Sequence, residues 1–162
     1  MRVLDLLKGS DDPSADQATV LKAQVLFWLI GATDGHAKNF SLFIGPGGSF
    51  HLAPLYDVLT AQPSLDARQI ERKQMKLAMS VGTNRHYRIS EIVGRHFLQT
   101  GEQAHLPRAL VLDAVETMAR IAEAAIERLE HELPAHFPEE IHRSVKAAVS
   151  ARLPMLELGG LA

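Results

Sequence analysis

Cysteine is absent from the 162 residues. That absence excludes disulfides, thiolate metal sites and a cysteine nucleophile, and it is compatible with a reducing cytoplasm. Long apolar runs are missing too. The richest stretch, residues 25–32, is far short of the roughly 18 apolar residues that a membrane span requires, so a chain with no membrane partner is expected. Residues 1–10 lack the charged, apolar and small-residue blocks of a signal peptide, and a cytoplasmic location is the corresponding expectation. Catalytic motifs of other classes fail as well. No Gly-x-Ser-x-Gly elbow is present, and Gly45-Pro46-Gly47-Gly48 lacks the Gly-Lys-Ser/Thr ending of a phosphate loop, so hairpin-turn chemistry accounts for it. His131 and His136 stand five positions apart with Pro134 between them, which rules out a helical zinc-protease motif and leaves a helix end.

What is present points to one folded domain spanning 1–162. Apolar residues make up 46% of the chain, enough for a core at this length. The net charge of −2 is spread unevenly. Arg68, Arg72, Lys73, Lys76, Arg85, Arg88 and Arg95 face only Glu71 and Glu91 within residues 68–95. Such a segment is either a solvated face or a surface for nucleic acid or an acidic partner.

Mainly helical structure is expected, with one small β-hairpin. Asp12-Pro13 is a helix start, because Asp caps free N–H groups and proline is tolerated in the first turn. The helix runs over residues 13–30, becomes apolar on nearly every side toward its end, and stops at Gly31. Residues 40–44 and 49–52 read as a hairpin closed by the glycine-rich turn. Residues 63–74 read as loop, and the apolar segment 75–81 fits neither state decisively. Ser90 is a candidate cap for a helix to about residue 100, with Ile92, Val93 and Phe97 inward. Pro107 opens the longest helix, with Leu110, Val111, Ala114, Val115, Met118, Ile121, Ala122, Ala125, Ile126 and Leu129 as a core stripe ending before Pro134. Pro138-Glu139-Glu140 starts a last helix, with Ile141, Val145, Val149 and Leu153 on one face.

The densest polar cluster is Thr33-Asp34-Gly35-His36-Ala37-Lys38-Asn39, directly after the apolar helix and before a strand. Asp34 and Asn39 have the spacing of a kinase catalytic loop, in which the Asp accepts the substrate hydroxyl proton and the Asn holds magnesium. A turn rich in Asp, Gly and Asn has the same composition without any catalysis. Asp57, in Tyr56-Asp57-Val58, lies just past the hairpin, where a kinase places its magnesium-binding Asp. Asn39 and Asp57 converging across a hairpin would form half of a magnesium site that nucleotide phosphates complete.

These blocks carry a family resemblance. Residues 27–41, Phe-Trp-Leu-Ile-Gly-Ala-Thr-Asp-Gly-His-Ala-Lys-Asn-Phe-Ser, resemble the catalytic-loop signature of HipA toxins, and Pro54-Leu55-Tyr56-Asp57-Val58, Lys76-Leu77-Ala78-Met79 and Arg95-His96-Phe97-Leu98 continue the likeness. The resemblance implies the C-terminal lobe of a serine/threonine protein kinase from a toxin–antitoxin system. It implies Asp34 as catalytic aspartate, Asn39 and Asp57 as metal ligands, ATP and Mg2+ as cofactors only with an N-terminal lobe present, and protein hydroxyls of the translation apparatus as substrates. The implied partner is a helix-turn-helix antitoxin, with operator DNA contacted through that complex.

The pattern departs from ordinary protein kinases. No His-Arg precedes Asp34, and Val58-Leu59 follow Asp57 in place of Phe-Gly. His36 stands where many kinases have a lysine, and Lys38 arrives two positions later. Either cation could stabilise charge on the transferred phosphoryl group, with Lys38 favoured and a structural role open for His36. The Asp-x-His-x-x-Asn loop also resembles that of phosphoinositide lipid kinases, but the flanking sequence fits HipA better. The upper-lobe covering loop, strand lysine and glutamate partner of a kinase are not found here, so the isolated chain is expected to be inactive unless an N-terminal lobe is supplied. A non-catalytic module that binds antitoxin or operator DNA is the alternative. An exposed apolar surface near the loop, able to drive homodimerisation, is a further expectation.

Overall fold

The computed structural model describes residues 2–158. A short helix α1 (Arg2–Leu6) and the turn Leu7–Gly9 bury Leu4 and Leu7 completely. Helix α2 (Pro13–Ile30) starts as its sequence dictates: the Asp12 side chain accepts the Ala15 N–H at 3.0 Å, and Pro13 occupies the first turn. Val20, Leu21, Val25, Trp28 and Leu29 of α2 are all but inaccessible to solvent. The helix is therefore enclosed, packed against α4 (Gly94–Gln103), α5 (Arg108–Glu132) and α6 (Glu139–Arg152). Trp28 anchors the arrangement twice, with its ring edge-on to Phe97 and its indole N–H donated to the Ile89 carbonyl at 2.9 Å.

Two antiparallel hairpins sit on this helical base. Strands β1 (Leu42–Ile44) and β2 (Phe50–Leu52) pair in the register Leu42↔Leu52 and Ile44↔Phe50. The Leu52 N–H is donated to the Asp16 carboxylate at 3.1 Å and the Asp11 N–H to the Phe50 carbonyl at 2.8 Å, so the hairpin is tied to the start of α2 while the chain entering it leaves the end of α2. Strands β3 (Lys76–Val81) and β4 (His86–Arg88) form the second hairpin, with an irregular register between the Lys76↔Arg88 and Val81↔His86 pairs.

That second hairpin corrects the expectation of a single one. Of segment 75–81, residues 76–81 form a strand, with Leu77 and Val81 buried, but its short partner is polar and has no alternation to announce it. Four further expectations shift. Ser90 lies in the turn Ile89–Glu91, and α4 begins only at Gly94, behind Val93. Segment 63–74 contains most of a short helix α3 (Gln62–Asp66) and the turn Arg72–Gln74. In α5 and α6, Ile121, Leu129 and Ile141 of the expected core stripes are exposed. The first strand begins at Leu42, two residues later than its sequence suggested.

Candidate active site

Helix α2 ends at Gly31, whose left-handed conformation (φ 72°) is open to glycine at no steric cost. The Ala32 N–H is donated to the Phe27 carbonyl at 2.8 Å and the Gly31 N–H to the Trp28 carbonyl at 3.3 Å, the two bonds that close a helix and turn the chain sharply away. The loop then folds back over Phe27. A Cβ on Gly35 would lie 2.4 Å from the Phe27 ring, so only glycine lets the backbone approach this closely. Phe40 is tilted against the same ring at a centroid distance of 6.2 Å. The polar loop is thus laid over an aromatic platform supplied by the buried helix.

Inside the loop, the turn Ala37–Asn39 buries Asn39. The Asn39 side-chain oxygen accepts the His36 N–H at 3.1 Å, and its amide nitrogen donates to Asp57 Oδ2 at 3.4 Å. Residues separated by the whole first hairpin therefore meet. Asp57 has a positive φ of 55°, uncommon for a residue other than glycine, and this turns its carboxylate back toward the loop. Tyr56 reinforces the junction, donating its hydroxyl to the Lys38 carbonyl at 3.0 Å and lying 2.9 Å from Ser41 Oγ.

Asp34 projects into solvent, its side chain 77% exposed, with His36 Nε2 at 3.8 Å from Oδ1. The structure brings His36, and not Lys38, within ion-pair range of Asp34. Lys38 is exposed and contributes its backbone carbonyl to the Tyr56 bond. His36 Nδ1 is buried without a hydrogen-bond partner. A group of three or more His, Cys, Asp or Glu side chains able to hold a metal unaided does not occur among the described residues. The donor set is one amide oxygen with a lone pair to spare and one carboxylate, which suits magnesium completed by phosphate oxygens and suits a structural metal poorly.

A model of the HipA-like C-terminal domain matches residues 1–129. The chain belongs to the HipA-like C-terminal domain family. A Haemophilus influenzae protein named "Putative kinase" is 27% identical over 116 residues, covering 66% of this chain and 33% of its own length. HipA in the complex of HipA, HipB and operator DNA from the Shewanella oneidensis MR-1 toxin–antitoxin system shares the fold, with a TM-score of 0.76 at 22% identity over 96% of this chain and 36% of that one. The chain spans about a third of the length of both relatives. The HipA-like fold thus extends beyond the matched 129 residues into α6.

Four residues of this HipA-like site gave no signal in the sequence. The Thr60 hydroxyl donates to the Ile30 carbonyl, the Ala61 N–H to the Gly31 carbonyl at 2.9 Å, and Arg152 Nη1 to the Leu29 carbonyl at 2.7 Å and the Trp28 carbonyl at 3.2 Å. Gln62 joins them, its side-chain oxygen accepting from Arg152 Nη2 at 2.6 Å. No short-range spacing rule links residues 123 positions apart. Burial pushes the Arg152 guanidinium below the usual arginine value, with Asp66 opposing the shift.

Proposed function

We propose that the chain is the catalytic lobe of a HipA-like serine/threonine protein kinase of a toxin–antitoxin system, which transfers the γ-phosphoryl group of ATP to a protein hydroxyl once an N-terminal lobe is in place. The observation that carries this reading is the 3.4 Å approach of Asn39 to Asp57 across the first hairpin, with an exposed Asp34 on the same short loop. Asn39 and Asp57 would hold Mg2+, which when bound neutralises charge on the nucleotide phosphates. The Asp34 carboxylate would take the hydroxyl proton as the acceptor oxygen bonds the γ-phosphorus and the bond to the ADP oxygen breaks. His36, close to Asp34, would orient that carboxylate, while Lys38 is free to meet phosphoryl oxygens from its exposed position.

The test is calorimetric titration of the chain with Mg-ATP, repeated on Asp57→Ala, followed by labelled-ATP transfer with an N-lobe supplied in trans. Saturable binding lost in Asp57→Ala, and transfer lost in Asp34→Asn, are the expected results. Transfer that persists undiminished in Asp34→Asn would remove the catalytic assignment.

A second reading, an interaction module for a helix-turn-helix antitoxin or operator DNA, draws on the exposed cations Arg68, Arg72, Lys76, Arg85 and Arg95. The two glutamates of that segment are already engaged, Glu71 by Lys73 at 2.9 Å and Glu91 by Arg88 at 3.1 Å. A salt-sensitive complex that survives Asp34→Ala and Asp57→Ala would support this module.

A further inference from the structure

The last four carbonyls of an α-helix have no partner within it, and a helix that ends inside a protein must find them elsewhere. At the end of α2 the partners come from both sides of the molecule. Arg152, the last residue of α6, serves Trp28 and Leu29, while Thr60 and Ala61, three and four residues after Asp57, serve Ile30 and Gly31. The two sources are themselves joined. Gln62 donates its backbone N–H to Thr60 Oγ1 at 3.1 Å and accepts from Arg152, then donates its side-chain amide to Asp66 at 3.0 Å. Asp66 accepts the Ser144 hydroxyl at 2.5 Å, which returns the chain of bonds to α6. Gln62 and Ser144 are buried, Thr60 and Arg152 half-buried and Asp66 exposed.

We infer that Arg152, acting with Gln62 and Thr60, is a positioning residue that fixes both halves of the proposed half-site to a single anchor at the end of α2. The Asp34–Asn39 loop leaves this point directly through Gly31, and the Asp57 segment returns to it at Thr60. A guanidinium suits the task. It presents several donors in one plane, so a single side chain reaches two helix carbonyls and an amide oxygen at once, and its positive charge lies at the negative end of the helix dipole. The anchor lies beyond the 129 residues that define the family match, at the last residue of α6. The inference rests on Asp34, Asn39 and Asp57 forming a site, but the anchoring itself is measurable without any catalysis.

The experiment is hydrogen–deuterium exchange on the purified chain, wild type against Arg152→Met, Arg152→Lys and Gln62→Met, with Mg-ATP titration of each. Arg152→Met is expected to speed exchange by about tenfold or more at residues 31–40 and 57–62, with α4 and the first half of α5 still protected, because local opening is decoupled from global unfolding. Arg152→Lys is expected to recover part of the protection, and Gln62→Met to show a smaller loosening of the same two segments. Unchanged exchange in both segments overturns the inference. So does a uniform rise across the chain in both Arg152→Lys and Gln62→Met, since that would mark general packing. If the two segments loosen together but no phosphate is transferred from labelled ATP with an N-lobe supplied in trans, the anchor stands and the kinase reading falls.

Discussion

Gly35 shows how tightly a single residue is specified in this loop. Any side chain there must displace the Phe27 ring or lift the loop from it, because the added Cβ would fall 2.4 Å from a ring carbon. Gly35→Ala is expected to destabilise the chain by about 1–3 kcal/mol, the usual cost of overpacking, with partial recovery when Phe27→Leu is added. Denaturant melts of the three variants would check this. His96 supplies a pH dependence. It is buried, stacked on His86 at 4.0 Å, and its Nδ1 accepts the Val93 N–H at 3.3 Å. Burial first, then the neighbouring His86 and Arg95, hold its pKa below the ordinary histidine value of 6.5. The neutral ring is therefore the form that folding favours. Above pH 6.5 that contribution is complete. As the pH falls below 6.5, the unfolded chain binds a proton that the folded chain refuses, and stability is lost until the folded pKa is passed. Thermal melts should fall in Tm from pH 7 downward, with a shallower slope in His96→Gln. Asp34, Asn39 and Asp57 were readable as candidates because the residue types and their order are unusual. The partner of Asp34 was not: the sequence weighed His36 and Lys38 only as cations for the transferred phosphoryl group, and the turn Ala37–Asn39 brings His36 to Asp34.

Among the elements, α2 governs the rest. Its start depends on one capping bond from Asp12, and Asp12→Ala is expected to cost about 1 kcal/mol, read as a lower midpoint in denaturant melts with the slope unchanged. The long helices were legible because capping, proline punctuation and the 3.6-residue period all agreed. The second hairpin was not, because a strand of three polar residues is defined by its neighbour and not by its own pattern. The start of α4 was misplaced for a related reason. Ser90 has the chemistry of a cap, but the chain makes a separate turn at Ile89–Glu91, with the Ile89 carbonyl engaged by the Trp28 indole, before the helix begins.

On the scale of the whole molecule, three large apolar side chains of the segment between the loop and Thr60 are exposed. Ile44 is 79% exposed, Leu59 67% and Phe43 54%, all on the first hairpin or just past Asp57. Exposed apolar side chains gathered beside a site favour association. Light scattering is expected to show concentration-dependent self-association that Ile44→Lys reduces without lowering Tm, and a clean monomer at high concentration would remove this expectation. No helix among the described residues is long and apolar enough to cross a membrane. The sequence by itself determined the helical character, the limits of α2 and α5, and the loop that carries Asp34 and Asn39. Each of these depends on residues within a few positions of one another, where periodicity, capping and turn chemistry act. Only the tertiary structure decided that Asn39 meets Asp57, that His36 attends Asp34, and that Arg152 closes the end of α2. The Asn39–Asp57 and Arg152 contacts join distant segments through side-chain hydrogen bonds whose partners are selected by packing, and the approach of His36 to Asp34 depends on how the loop turns, so a local pattern carries no record of them.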